Sequence, residues 1–241
     1  MEKITFQLKN GKDILTDLGN KKERKIFNFL NLHDIYQWSN EPNFRKSLLS
    51  KANINFVDGF LISSILSLKN FKRISRTRGP TFTKEVLSNQ NFLKNQKHFF
   101  IGIEKEDINS LKRSFPHLKK VSCYNLPYIK EVKFSREELE KVLKKIKKES
   151  PDIIWVGIGS PKQNILSLEL FERTNKGHFM NIGAGLDFFL GKKKEAPKII
   201  QKVGIEWFYR LITDFKNSWK KVLRSLAALK NLNSISLKDD K

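Results

Sequence analysis

Three short apolar runs constrain the fold of this chain more than any other feature. INFVD (54–58), HFFIGI (98–103) and DIIWVGIG (152–159) each end in turn-type or polar residues, and a stretch with helical spacing follows each. Runs this short read as buried strands, and strands alternating with helices build a mostly parallel sheet covered by helices. The expected fold class is therefore α/β, a Rossmann-like sheet flanked by helices. The helix before the third run carries its own signals. Ser135 and Glu138 stand at capping-box spacing ahead of Leu139, Val142, Leu143 and Ile146, lysines crowd the last turns, and Pro151 follows.

No internal repeat or Pro/Gly/Ser linker divides the chain, but its tail changes character. Pro197 stands where a helix begins, and Phe208, Leu211, Phe215, Trp219, Val222, Leu226 and Leu229 then recur at three- and four-residue steps as one apolar stripe. Residues 192–241 hold 13 basic and 5 acidic side chains, a net of +8. The expectation is a core over residues 1–195 and a basic amphipathic helical appendage over 196–241. Such a stripe lies on an anionic bilayer, packs on its own domain or mediates self-association as a homo-oligomer; the pattern leaves all three open.

Charge narrows the partners without choosing among them. With 47 Lys+Arg against 25 Asp+Glu, the 241-residue chain carries +22. Hydrophobic residues at 39% and aromatics at 11% are too abundant for a disordered polycation. A folded basic protein of this kind suits nucleic acid, a lipid surface or a phosphate-rich substrate. The lone Cys123 forms no internal disulfide, and the four histidines (33, 98, 117, 178) make no metal pair, so neither metal nor cofactor is expected. The N-terminus lacks a signal-peptide core and no run approaches the ~18 apolar residues of a spanning helix, which points to a cytoplasmic location. No G-x-S-x-G elbow supports a Ser-His-Asp triad, and zinc-finger spacing and an RNP motif are missing, so no specific nucleic-acid partner is expected.

Parallel sheets bind ligands at the carboxyl ends of their strands, where loops meet helix N-termini. Asp58, with Gly59 after it, closes the first run as either a general base or a helix cap. After the third run comes GIGSPKQ (157–163). Gly157 and Gly159 allow close backbone approach, Pro161 opens a helix, and Lys162 and Gln163 add donors, the makings of a phosphate or nucleotide loop. It matches neither the dinucleotide G-x-G-x-x-G nor a P-loop. Arg73, Arg76 and Arg78 beside Gly79 form either a diphosphate clamp or a surface basic cluster. In NIGAGLDFFLG (181–191), Asp187 reads as structural.

Taken in order, VDG, RTRG, FFIG, VGIGSPKQ and NIGAGLDFFLGKKKEAPKIIQKVGIEWFYRL resemble the bacterial WecG/TagA/CpsF glycosyltransferases over residues 28–224. Gly183 through Gly191, Ala196-Pro197, Gly204, Glu206-Trp207 and Arg210 carry the most specific part. The resemblance implies an inverting, metal-independent enzyme on the cytoplasmic face of the cell membrane. It would move a sugar, often of N-acetylmannosamine type, from a UDP-sugar donor to a polyprenyl-diphosphate-linked acceptor in surface polysaccharide or teichoic acid synthesis. By the same resemblance Asp58 matches the catalytic aspartate, and Asn31, Arg76 and Gln163 match pocket residues. Arg210, Lys216, Lys220, Lys221 and Arg224 lie where basic residues face the lipid diphosphate. The alternative from another class is a non-catalytic basic protein that binds nucleic acid or anionic lipid.

Two departures stand out. Phe29 occupies the position where the family has threonine, two residues before Asn31, which points to a different donor sugar or reduced activity. Lys216-Asn217 replaces the family's proline-arginine pair, so charge there is partly retained.

Overall fold

A computed structural model describes residues 2–8, 14–15, 18–19, 23–93, 95–127, 131–183, 185–193 and 195–238, with the backbone alone at 92–93, 202, 210 and 217. Among these residues the strands are β1 (Ile4–Gln7), β2 (Ile26–Leu30), β3 (Asn53–Val57), β4 (Lys97–Ile101), β5 (Lys120–Tyr124), β6 (Ile153–Val156), β7 (His178–Asn181) and β8 (Ile235–Lys238). The helices are α1 (Leu32–Asn40), α2 (Pro42–Leu49), α3 (Phe60–Asn70), α4 (Gly79–Ser88), α5 (Gln90–Leu93), α6 (Lys105–Ser114), α7 (Arg136–Glu149), α8 (Lys162–Glu172) and α9 (Gly185–Phe189). They continue with α10 (Lys198–Val203), α11 (Glu206–Thr213), α12 (Phe215–Ala227) and a 3-10 turn over Ala228–Ser234.

Six strands pair in parallel in the order β3-β2-β7-β6-β4-β5. The three apolar runs are β3, β4 and β6, as their length and flanks predict. Period-two alternation assigns each strand's side chains to two faces. Phe27, Phe29, Phe100, Trp155 and Met180 enter one buried cluster, while Ile26, Phe99, Ile154, Val156 and Phe179 enter the other. α7 closes the second face with Leu139, Val142, Leu143 and Ile146. At its start the Ser135 hydroxyl accepts from the Glu138 N–H at 3.2 Å, but the Glu138 carboxylate accepts from the Tyr124 hydroxyl at 2.7 Å instead of closing a capping box. A strand neighbour outbids the local pairing.

The inner edges of β2, β3 and β7 are polar and fully buried. The Asn28 amide donates to Asn53 Oδ1 at 3.0 Å and Asn55 Oδ1 at 2.8 Å, and its carbonyl oxygen accepts from Asn164 at 2.8 Å and Asn181 at 2.7 Å. Ser167 donates to Asn181 Oδ1 at 2.6 Å. This network ties three strands to α8 through five buried asparagines, with the Oδ1 of Asn164 alone among their side-chain oxygens left without a partner.

The tail does not form one long helix. Pro197 caps α10, Gly204 ends it, and Asp214 separates α11 from α12, so the apolar stripe is divided between two helices and the 3-10 turn. α12 packs on α1 and the 3-10 turn follows it, with Ala228 fully buried beside Ile4, Phe6, Ile35 and Trp38. β8 then pairs in parallel with β1, Ile4 opposite Ile235 and Gln7 opposite Lys238. Much of the stripe stays outside: Phe208, Phe215, Trp219, Leu226 and Leu229 are exposed.

Candidate active site

From β2 the chain steps outward to β3, and the other four strands build on the opposite side of β2. A cleft of about 700 Å3 lies at this switch, over the carboxyl ends of β2, β3, β6 and β7. Asn31, Asp58, Gly157 and Gly183, the residues at or just past those four ends, all line it.

Asp58 is held by its strand's own ladder, its N–H donating to Leu30 O at 2.8 Å. Its carboxylate Oδ2 accepts the N–H of Gly79 at 3.3 Å, the first residue of α4. Burial pushes its pKa up to about 6, helped by the negative charges of Glu206 and Asp34 and opposed by the Gly79 amide and Arg78. The acid thus holds a helix amide, one of the two roles its sequence position left open, and a carboxyl with a pKa of about 6 has the basicity the other role would need.

The arginines arrive on the loop ahead of α4. The Thr77 N–H bonds Val57 O at 2.8 Å, which fixes that loop to the end of β3 and turns Arg76 and Arg78 into the cleft. Both meet the Glu206 carboxylate, Arg76 at 3.3 Å and Arg78 at 2.9 Å. Arg76 also donates to the Gln201 carbonyl, and Arg78 to Gln201 Oε1 at 2.6 Å. Arg73 is exposed and does not line the cleft.

The two glycine loops are sewn together by Gln163. Buried on α8, it accepts the Gly183 N–H at 2.9 Å through Oε1. Gly159 sits at φ +84 with open space around its α-carbon, a conformation glycine adopts without strain, and it leads through Ser160-Pro161 into α8. Pro161 caps that helix and does not itself line the cleft.

Asn31 lines the cleft while capping α1. Its Oδ1 accepts the N–H groups of His33 at 2.8 Å and Asp34 at 3.4 Å, and Asp34 Oδ2 accepts the Asn31 N–H at 2.8 Å in return. Phe29 is 8% exposed, its ring packed against Phe56 and Phe82 at 5.5 and 5.4 Å while one edge reaches the cleft. The expected threonine position thus holds an apolar floor tile.

Of the tail cations, Lys221 lines the cleft, whereas Lys220 lies over the Trp219 ring at 5.5 Å and Arg224 over the Tyr36 ring at 5.9 Å. The backbone of Arg210 lies in α11, and its side chain is outside the described residues. Asp187 lines the cleft and pairs with Lys193 at 2.6 Å.

Sequence reasoning missed Asp34. Buried beside Ser160, it has a pKa pushed up to about 6 by burial against the opposing Asn31 amide, Ser160 hydroxyl and Lys221. His33 beside it is driven down to about 4 by burial and by Lys221 and Arg224. The N-x-x-D spacing of a capping box just past a strand was the available signal.

This assembly of an acid, an arginine pair and two glycine loops at a sheet switch suits transfer of a group carried on a phosphate. The family described as Glycosyl transferase WecG/TagA/CpsF matches residues 5–234. This chain belongs to that family. It is a glycosyltransferase, and the resemblance expected from its motifs extends over nearly its whole length. An N-acetylglucosaminyldiphosphoundecaprenol N-acetyl-beta-D-mannosaminyltransferase of Staphylococcus aureus is 26% identical over 216 residues, 88% of this chain and 82% of the relative. A Bacillus subtilis protein of the same name is 28% identical over 181 residues, 73% of this chain and 66% of the relative. Among the described residues of this glycosyltransferase, no helix is long and apolar enough to cross a membrane.

Proposed function

We propose that the enzyme transfers an N-acetylmannosamine-type sugar from a UDP-sugar to a polyprenyl-diphosphate-linked saccharide, with inversion and without a metal ion, in cell-surface polysaccharide or teichoic acid synthesis. The observation that carries this reading is Asp58, an acid with a pKa near 6 at the cleft floor, facing two arginines. In the proposed step an acceptor hydroxyl gives its proton to Asp58 as its oxygen attacks the anomeric carbon. The bond from that carbon to the diphosphate breaks, and its electron pair leaves on the UDP oxygen. Arg76 and Arg78, turned from Glu206 to the leaving diphosphate, supply the positive charge. The names of the relatives support the lipid-linked acceptor.

The membrane side of the reading rests on the tail. The segment from 196 onward exposes Ile199, Ile212, Phe215 and Leu223 together with Lys216, Lys220 and Lys230, a composition suited to the inner, anionic face of a cell membrane. The cleft mouth beside it is lined by Phe60, Trp207 and Leu226, apolar groups that suit a prenyl chain.

The test is transfer from UDP-N-acetylmannosamine to a short-chain polyprenyl-diphosphate N-acetylglucosamine acceptor in excess EDTA. Asp58→Asn is expected to lower kcat by roughly 10²–10⁴ while leaving UDP affinity within about twofold. Near wild-type turnover by that variant would make Asp58 a cap only, and loss of wild-type activity in EDTA would overturn the metal-free step.

A further inference from the structure

α3 begins two residues after Asp58 and has an unusual outer side. Its inner face, Ile62 and Leu66, is buried in the core. Its outer face carries Phe60, Leu68 and Phe71 at spacings of eight and three, which fall within one arc of the helix. Leu68 is 77% exposed and Phe71, the residue that caps the helix, is 100% exposed. Phe71 is also left-handed, at φ 49 and ψ 31, a position where glycine or asparagine is the usual occupant. A large ring held open to solvent in a disfavoured backbone conformation gains nothing from the fold.

Charge and neighbours say what covers it. Residues 59–84 contain six basic side chains and no acidic one. Lys69, Lys72 and Arg73 surround the tip, and Lys69 donates to Leu232 O at 3.2 Å and Asn233 Oδ1 at 2.9 Å. At the other end, Gly204 comes so close to Phe60 that a β-carbon there would lie 2.1 Å from its ring. The turn between α10 and α11 therefore seats directly on the start of α3. The exposed Val203, Ile205, Trp207 and Phe208 thus continue into Phe60 and on along the helix to Phe71. A second copy of so basic a patch would be repelled by it, whereas an anionic surface complements it.

We infer that the outer stripe of α3, ending at Phe71, is a second contact with an anionic lipid bilayer, extending the surface of the C-terminal helices onto the core. This rests on the membrane reading above and extends it to a helix that starts beside the catalytic acid. Docking on lipid through α3 sets the height of Asp58 over the bilayer, where a lipid-linked acceptor presents its sugar.

The experiment uses the full chain in a Cys123→Ser background. An environment-sensitive fluorophore is attached at Phe71→Cys or, as the reference, at Ile212→Cys. With vesicles of phosphatidylglycerol and phosphatidylcholine, both probes are expected to shift to the blue and to be quenched by brominated acyl chains. Phe71→Gly, unlabelled, is expected to raise Tm by relieving the left-handed turn and yet weaken vesicle partitioning by roughly tenfold. A probe at 71 that stays water-like while the one at 212 is quenched overturns the inference alone. Two water-like probes overturn it together with the membrane reading. A shift at 71 that follows protein concentration without vesicles assigns the stripe to self-association and overturns it as well.

Discussion

Arg78 donates to the Glu206 carboxylate at 2.9 Å, joining the loop beside β3 to the first turn of α11 across 128 residues of sequence. Arg76 shares the same carboxylate at 3.3 Å. The two cleft arginines are thus held by an internal acid, and in the proposed step the donor diphosphate competes with Glu206 for them.

The same carboxylate acts on the base. Its negative charge raises the Asp58 pKa, and Arg78 lowers it. The proposed step needs Asp58 ionised, so kcat/KM is expected to rise with pH through about 6, the value to which burial first of all raises this carboxyl. Glu206→Gln removes a charge that holds the proton on, so the acid limb is expected to move to lower pH; Arg78→Gln is expected to move it higher. A pH-rate profile of the two variants checks both signs, and coincident profiles would separate Glu206 from Asp58 during turnover.

Gln163 joins the loops after β6 and β7 through one hydrogen bond at 2.9 Å to the Gly183 amide. Gln163→Ala leaves that amide without its partner and frees the two loops to part. The expected loss is about 1–2 kcal/mol, or roughly 2–8 °C in Tm, with at least a tenfold weaker UDP affinity. Calorimetry on the free and UDP-bound enzyme reads both, and unchanged UDP binding would confine Gln163 to the fold.

Asn28 is fully buried and satisfies four other asparagines. Asn28→Ala strands all four groups in the core at a cost of about 3–5 kcal/mol, lowering Tm by roughly 10 °C. Urea denaturation with the m-value held constant measures it. A loss under about 1 kcal/mol would mean that water replaces the side chain.

Removing the chain after residue 196 takes away β8 and Ala228 and uncovers Ile4 and Phe6, which are fully buried beside them. The expected outcome is a loss of several kcal/mol, about 10 °C in Tm, in addition to any loss of vesicle binding. Thermal melts of the truncated and full chains decide it. An unchanged melt would make the tail a separate appendage, and substitutions such as Ile212→Ser would then be unnecessary for isolating its lipid contact.

The strands legible in the sequence are those whose apolar run outweighs a buried polar residue, such as Asn55 in β3 or His98 in β4. β4 and β6 declare themselves because Phe99, Phe100, Ile154 and Trp155 need nothing but a core. β2 and β7 do not, because Asn28, His178 and Asn181 interrupt their apolar character and are buried only by virtue of partners elsewhere in the chain. The motif residues Asp58, Arg76, Gly157, Gly159 and Gln163 could be placed at the cleft from sequence because they stand at strand ends or helix starts, where a parallel sheet gathers its loops, and of these Gly159 alone also has the left-handed backbone that favours glycine. Asp34 was not, since its cap spacing is commonplace and its value comes from Ser160 and Lys221 closing over it.

Sequence alone determined the alternation of strand and helix, the excess of positive charge and the loops at the strand ends, because each follows from local spacing and composition. The tertiary structure decided which charges meet. Arg76 and Arg78 find Glu206, Lys221 rather than Lys220 turns into the cleft, and β8 returns to β1. Those outcomes depend on where helices end, at Gly204 and Asp214, and on the distant residues they then pack against, which the period of the stripe does not encode.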